Sequence, residues 1–299
     1  MALGINLSFC VKRWVTPALW ARLVREELGL GLVQLSFDLV DPMWPDDVLD
    51  KVAADTRKAC ADHGITLHSG FAGLAAYTFN LLLHPEPAVR DASERWLTRA
   101  YAFCEKAGIR AAGGPVGAIA ARPDAVEADA IPEADYADLV ERLTRLADRA
   151  KAHGLTELYI EPTPLRREWP WTPAQARRLM ADLGGTAVPW RYCFDWGHAI
   201  LTPPYTAEEA RAEPWLEAVA GDIGAVHIQQ SDGRLDRHWD FTEQGIVDPA
   251  AVAATLARFG LADRPVFLEV FYPFEETDAV VLDRVRRSVA ALTSAFGRD

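Results

Sequence analysis

Eight short apolar runs recur along the 299-residue chain, each followed by a stretch of helical character, and this alternation constrains the fold more than any other feature. The runs cover 3–8, 32–37, 65–70, 109–114, 157–162, 191–196, 225–230 and 265–270. Between them, 87–107 and 134–152 carry apolar residues at i, i+3, i+4 and i+7, the stripe of a helix that buries one face. Glycine follows several of these stretches (Gly64, Gly108, Gly154, Gly184, Gly260), supplying the left-handed residue that ends a helix. Thr16-Pro17, Thr172-Pro173 and Asp248-Pro249 mark starts, each placing a capping residue before a proline suited to the first turn. Strand, cap, helix and glycine in repetition predict an α/β protein with a parallel sheet. Eight units favour closure into a single (β/α)8 barrel over 1–299 rather than an open sheet. No GxGxxG follows the first run, which removes the main reason to expect a dinucleotide fold. The loop-like stretches 115–133, 163–171 and 231–247 all follow strands and are expected on the catalytic face.

Four of the runs end on side chains able to ligate a metal: Glu161, Asp195, His227 and Glu269, spaced 34, 32 and 42 residues apart. Each interval is about one strand–helix repeat, so a closed barrel brings all four to the same end of its axis. Three carboxylates there would repel one another and would be costly to ionise beside apolar neighbours. A divalent cation resolves that conflict. The set is rich in oxygen and suits Mn2+ first, with Mg2+, Co2+ or Zn2+ as alternatives. No organic cofactor is expected.

Bulk properties remove other classes. A net charge of −12 opposes broad binding to nucleic acid. Cys10, Cys60, Cys104 and Cys193 form no CxxC pair and read as buried thiols of a reducing compartment. The first residues do not resemble a signal peptide and no apolar segment is long enough to span a membrane, so a cytoplasmic location is expected. Trp14, Trp44, Trp196 and Trp239 fall in expected loops, where they would wall a pocket or fill the core.

With these residues in place the chain resembles the xylose isomerase-like TIM-barrel superfamily of sugar isomerases and epimerases. The likeness rests on IEP at Glu161, Asp195-Trp196-Gly197-His198, the VHIQQSD run at His227 and LEVF at Glu269. Segments 79–96, 227–245 and 268–275 look most like tetrulose-phosphate epimerases of erythritol-type catabolism. Many ketose 3-epimerases carry Glu-Asn-Asp-Arg after the seventh strand, whereas this chain has Gln229-Gln230-Ser231-Asp232, so the family's contacts in that loop do not transfer directly. The resemblance implies that Glu161, Asp195, His227 and Glu269 bind one metal. It also implies that Glu161 and Glu269 act as acid and base on a small ketose or ketose phosphate through a metal-stabilised enediolate. A homo-oligomer is implied in the same way.

His198 is expected to contact substrate or to orient a ligand, and His68 to face the pocket or the core. Gln229 joins the candidate substrate contacts from the loop after the seventh strand. Cationic loop residues for a phosphate are Lys12, Arg13, Arg166, Arg167, Arg234, Arg237 and His238, with Arg237-His238-Trp239 preferred because it joins donors to an aromatic wall. Proton abstraction beside a carbonyl also begins elimination, so a lyase or dehydratase, including one that cleaves C-glycosides, is the alternative. A sugar-binding barrel without catalysis and a DNA phosphodiesterase are further readings.

Overall fold

The computed structural model describes residues 1–121 and 131–296. The middle of the 115–133 loop, 122–130, lies outside the described residues. The strands are β1 (Leu3–Asn6), β2 (Leu32–Ser36), β3 (Thr66–Phe71), β4 (Ala111–Gly114), β5 (Glu157–Ile160), β6 (Trp190–Asp195), β7 (Ile223–Ile228) and β8 (Val266–Leu268). They pair in parallel in chain order, and β1 closes on β8 through Leu3↔Val266 and Ile5↔Leu268. The closed (β/α)8 TIM barrel expected from the alternation is the fold.

Side chains alternate across a strand, so its even or odd positions line the barrel interior. Phe71, Ala111, Tyr159, Cys193, Ala225 and Phe267 pack together there as a cluster separate from the larger core between sheet and helices. Helix Pro87–Ala107 shows how that larger core forms. Its buried Ala100, Phe103, Cys104 and Ala107 repeat at i, i+3, i+4 and i+7. It stops at Gly108, whose φ of 78° lets the chain turn into β4. Thr172 and Asp248 cap their helices by accepting hydrogen bonds from the backbone N–H groups of Gln175 and Ala250. At one helix end the expected glycine is displaced by a residue: Gly184 is not left-handed, and Gly185, at φ 90°, takes that role.

All four cysteines are buried and unpaired. Burial pushes the Cys60 and Cys104 thiols up to about 12. Among the described residues, no helix is long and apolar enough to cross a membrane.

Candidate metal centre and active site

The strand period that builds the barrel interior also places the candidate ligands. Tyr159, Cys193, Ala225 and Phe267 point inward, and two residues beyond each, on the same face, stand Glu161, Asp195, His227 and Glu269. The four side chains are buried, and their candidate ligand atoms all lie within 4.8 Å of one another. Donors on opposite sides of an ion with bonds of about 2.0–2.2 Å span a similar distance. The β6–β7 register sets Asp195 beside His227, and the Glu269 N–H donates to the Ile228 carbonyl at 3.1 Å, so the ladder itself fixes the spacing.

A chain of hydrogen bonds orients His227. The Ser8 N–H donates to Asn6 Oδ1 at 2.9 Å, which turns Asn6 Nδ2 toward Gln34 Oε1 at 2.6 Å. Gln34 Oε1 then accepts from His227 Nε2 at 2.7 Å, while Gln34 Nε2 donates to Ser69 Oγ at 3.1 Å. A backbone N–H can only donate, so the whole chain has one polarity and His227 must carry hydrogen on Nε2. Its Nδ1 faces Glu161 Oε1 at 2.9 Å and Glu269 Oε2 at 2.8 Å. A lone pair and two carboxylates meeting at these distances require positive charge between them, either a proton or a metal ion. Among the described residues no Lys or Arg ion-pairs with Glu161, Asp195 or Glu269, so the donor set fits a divalent cation.

Gln34→Leu is therefore expected to weaken divalent-metal binding by about 10- to 100-fold, since it removes the acceptor that holds the imidazole while keeping the side-chain volume. Competition for Mn2+ against a chelating dye measures this directly. A variant that binds Mn2+ as tightly as the parent would show that Gln34 does not set the tautomer.

Around the cluster lies a cavity of about 400 Å3 lined by Glu161, Glu269, His198, Asp236, Arg237 and His238 among others. Asp195 and His227 lie beneath it and do not line it. Asp236 Oδ2 sits 3.1 Å from both His198 Nε2 and His238 Nε2, and these three also gather their ligand atoms within 4.8 Å. His198 Nδ1 donates to the Pro162 carbonyl at 3.0 Å. Burial would lower both histidines, but Asp195 and Asp236 hold His198 well above the usual range, and Asp236 holds His238 at about 9. Burial raises Glu161, whereas Glu269 stays below the usual carboxylate range, against its burial, because His227 and His238 face it.

His238 adopts φ 45°, a left-handed conformation uncommon outside glycine. Three bonds over-determine it: its ring to Asp236, its N–H to Gln229 Oε1, and its carbonyl to the Phe271 N–H at 3.1 Å.

The structure does not bring every expected contact to the cavity. Gln229 is buried, and its Nε2 donates to Asp195 at 3.2 Å and Asp236 at 2.9 Å, tying a candidate ligand to the histidine pair. Trp239 packs under the Arg237 guanidinium, 4.9 Å away, and does not line the cavity. Trp14, Trp44 and Trp196 do not line it either. His68 stacks on Tyr159 and packs at a tilt against Phe267 of the barrel interior, with ring centroids 6.0 and 5.2 Å away, below the cavity. Its depth along β3, which runs on to Phe71, keeps this residue from the mouth, although LHSG reads as a strand end.

Sequence reasoning missed Asp236, Gln34 and Tyr77, whose hydroxyl donates to Glu168 Oε2 at 3.1 Å on the cavity wall. Asp236 carried a signal, an acid two residues before His238. Gln34 carried another, a glutamine inside an otherwise apolar strand. Tyr77 carried none.

Residues 24–287 match the profile of the family described as Xylose isomerase-like TIM barrel. A structure from Rhodospirillum rubrum, provisionally titled a xylose isomerase, is 41% identical, with 99% of each chain covered and a TM-score of 0.92. A protein of Brucella abortus (strain 2308) named D-erythrulose 1-phosphate 3-epimerase is 24% identical over 97% of this chain and 94% of its own. The D-psicose 3-epimerase of Clostridium cellulolyticum H10 is 14% identical, covers 99% of each chain and gives a TM-score of 0.74, a likeness of fold alone.

Proposed function

Because the chain belongs to the xylose isomerase-like TIM-barrel family, we propose that it is a divalent-metal-dependent isomerase or epimerase of a small ketose phosphate, a tetrulose-phosphate 3-epimerase being the best fit. The observation that carries this reading is the convergence of Glu161, Asp195, His227 and Glu269 at the floor of a cavity that Glu161 and Glu269 also line. The cavity, about 400 Å3, suits a short sugar.

When bound by these four residues, a divalent ion, Mn2+ first, supplies a Lewis acid for the carbonyl and the neighbouring hydroxyl of a ketose. The chain's own groups do the rest. One of Glu161 and Glu269 takes the proton from the carbon beside the carbonyl, and the other delivers a proton to the opposite face. His227, fixed by Gln34, keeps both glutamates in register. His238, held by Asp236 through Nε2, has no hydrogen-bond partner on Nδ1 among the described residues and offers it to a substrate hydroxyl at the cavity wall, while His198, committed to Pro162 and Asp236, braces Asp236 from the other side. Phe271, Leu74 and Tyr77 cover the apolar side and limit access of water.

Elimination from the same carbanion is the second reading, because the removed proton is the same. Incubating a panel of ketoses and ketose phosphates with Mn2+ in D2O, and following the carbon beside the carbonyl by NMR, separates the two. Deuterium incorporated with inversion is the expected outcome. Release of a leaving group instead would assign a lyase, and no exchange on any ketose would overturn both.

A further inference from the structure

The loops after β5, β6 and β7 enclose a second cavity, about 520 Å3, that shares Asp236 with the first. Thr163 lines the first and Pro164 the second; His198 lines the first and Leu201 the second, so the chain crosses from one to the other within a few residues. Resting on the reading of the first cavity as a ketose site, we propose that the second is the subsite for a phosphate monoester on that ketose, held by Arg166, Arg167 and Arg234.

Charge is the first argument. In a chain with a net charge of −12, three arginines from two loops line one cavity, and its single lining carboxylate, Asp236, is already taken by His198, His238 and Gln229. Among the described residues, neither Arg166 nor Arg234 has a carboxylate at ion-pair distance. Lys12, Arg13 and Arg237 are committed elsewhere. Arg237 is tied through Nη2 and Nε to Asp232 Oδ2 at 2.8 and 3.1 Å, and lies over Trp239. Arg13 donates to the Pro273 and Glu276 carbonyls at 2.8 and 2.9 Å, and Lys12 Nζ lies 4.1 Å over the Phe274 ring.

Chemistry is the second argument. A phosphate dianion accepts several charge-assisted bonds, and guanidinium groups present paired donors that match it. Arg166 is partly positioned, lying 5.5 Å over the Trp171 ring with Nη2 on the Pro204 carbonyl at 3.4 Å. Pro164, Leu165, Leu201, Pro203, Pro204 and Leu235 form the remaining wall, and such apolar surroundings strengthen an ion pair by lowering the local dielectric.

The test compares kcat/KM for a ketose phosphate and for the same ketose without phosphate, in the parent protein and in an Arg166→Ala/Arg234→Ala double variant. The ratio of the two is expected to fall by about 10- to 100-fold in the double variant, mostly through KM. Arg177→Ala, an exposed arginine on helix Pro173–Asp182 that lines neither cavity, controls for lost charge and should leave both values unchanged. An unaltered ratio, or one that collapses only in Arg237→Ala, would overturn the subsite while leaving epimerisation standing. Should the parent turn over neither substrate, the ketose reading fails. Calorimetric binding of inorganic phosphate then decides the subsite alone: loss in the double variant supports it and retention refutes it.

Discussion

Glu161→Gln and Glu269→Gln are each expected to reduce epimerisation by about a hundred- to ten-thousand-fold, the range spanned by loss of a general acid or base. Both side chains line the cavity and both approach His227 Nδ1, at 2.9 and 2.8 Å, so neither can be replaced by a neighbour. Glutamine keeps the shape and one ligand oxygen but cannot carry the proton. The informative outcome lies in which reaction survives. With a single carboxylate left, a proton can be removed and returned on one face only. Each variant should therefore keep slow solvent exchange with one epimer and lose inversion, and the two variants should keep opposite epimers. Metal content by elemental analysis checks that the ion is retained. Inversion within threefold of the parent in either variant would remove that glutamate from the chemistry.

The second large effect concerns stability. Glu94 on helix Pro87–Ala107 is 5% exposed and gathers three arginines of helix Glu133–Ala152: Arg142 at 3.0 Å, Arg145 at 3.1 Å and Arg149 at 3.2 Å. Arg142 is itself only 6% exposed. Glu94→Ala removes the one carboxylate shared by all three, while Arg142 keeps Asp91 at 2.7 Å and Asp138 at 2.9 Å, so the cost is that of lost charge-assisted hydrogen bonds, about 2–3 kcal/mol. For a chain of this size that corresponds to a fall in Tm of roughly 5 °C. The exposed pair Lys51–Asp55, with side chains 75% and 48% accessible, supplies the contrast. Lys51→Ala should change stability by less than about 1 kcal/mol. Thermal unfolding of both variants measures the difference, and equal shifts would show that burial does not set the worth of the Glu94 network.

The same helices illustrate what was legible beforehand. The stripe Ala100, Phe103, Cys104, Ala107 could be read directly, because helical spacing is a local property of the chain. The arginines on Glu94 could not, since nothing in either helix says which faces will meet. The convergence of the candidate ligands was legible for a similar reason. A residue two beyond an inward-facing one is also inward-facing, so Glu161, Asp195, His227 and Glu269 followed from strand periodicity and barrel closure. Of the two positions open to His68, pocket or core, the structure takes the core, because β3 runs on to Phe71 and leaves that histidine beside Tyr159 and Phe267.

Sequence alone determined the barrel, the strand order and the identity of the four converging side chains, because periods of two and 3.6 residues and the repeat length are written locally. Tertiary structure alone decided the rest. Gln34 meets His227 across 193 residues of chain, Asp236 stands between two histidines, and Arg237 lines the cavity already paired with Asp232. Each depends on which side chain of one loop or strand faces which side chain of another. That choice is fixed by packing and hydrogen-bond polarity once the barrel has closed, and no local pattern encodes it.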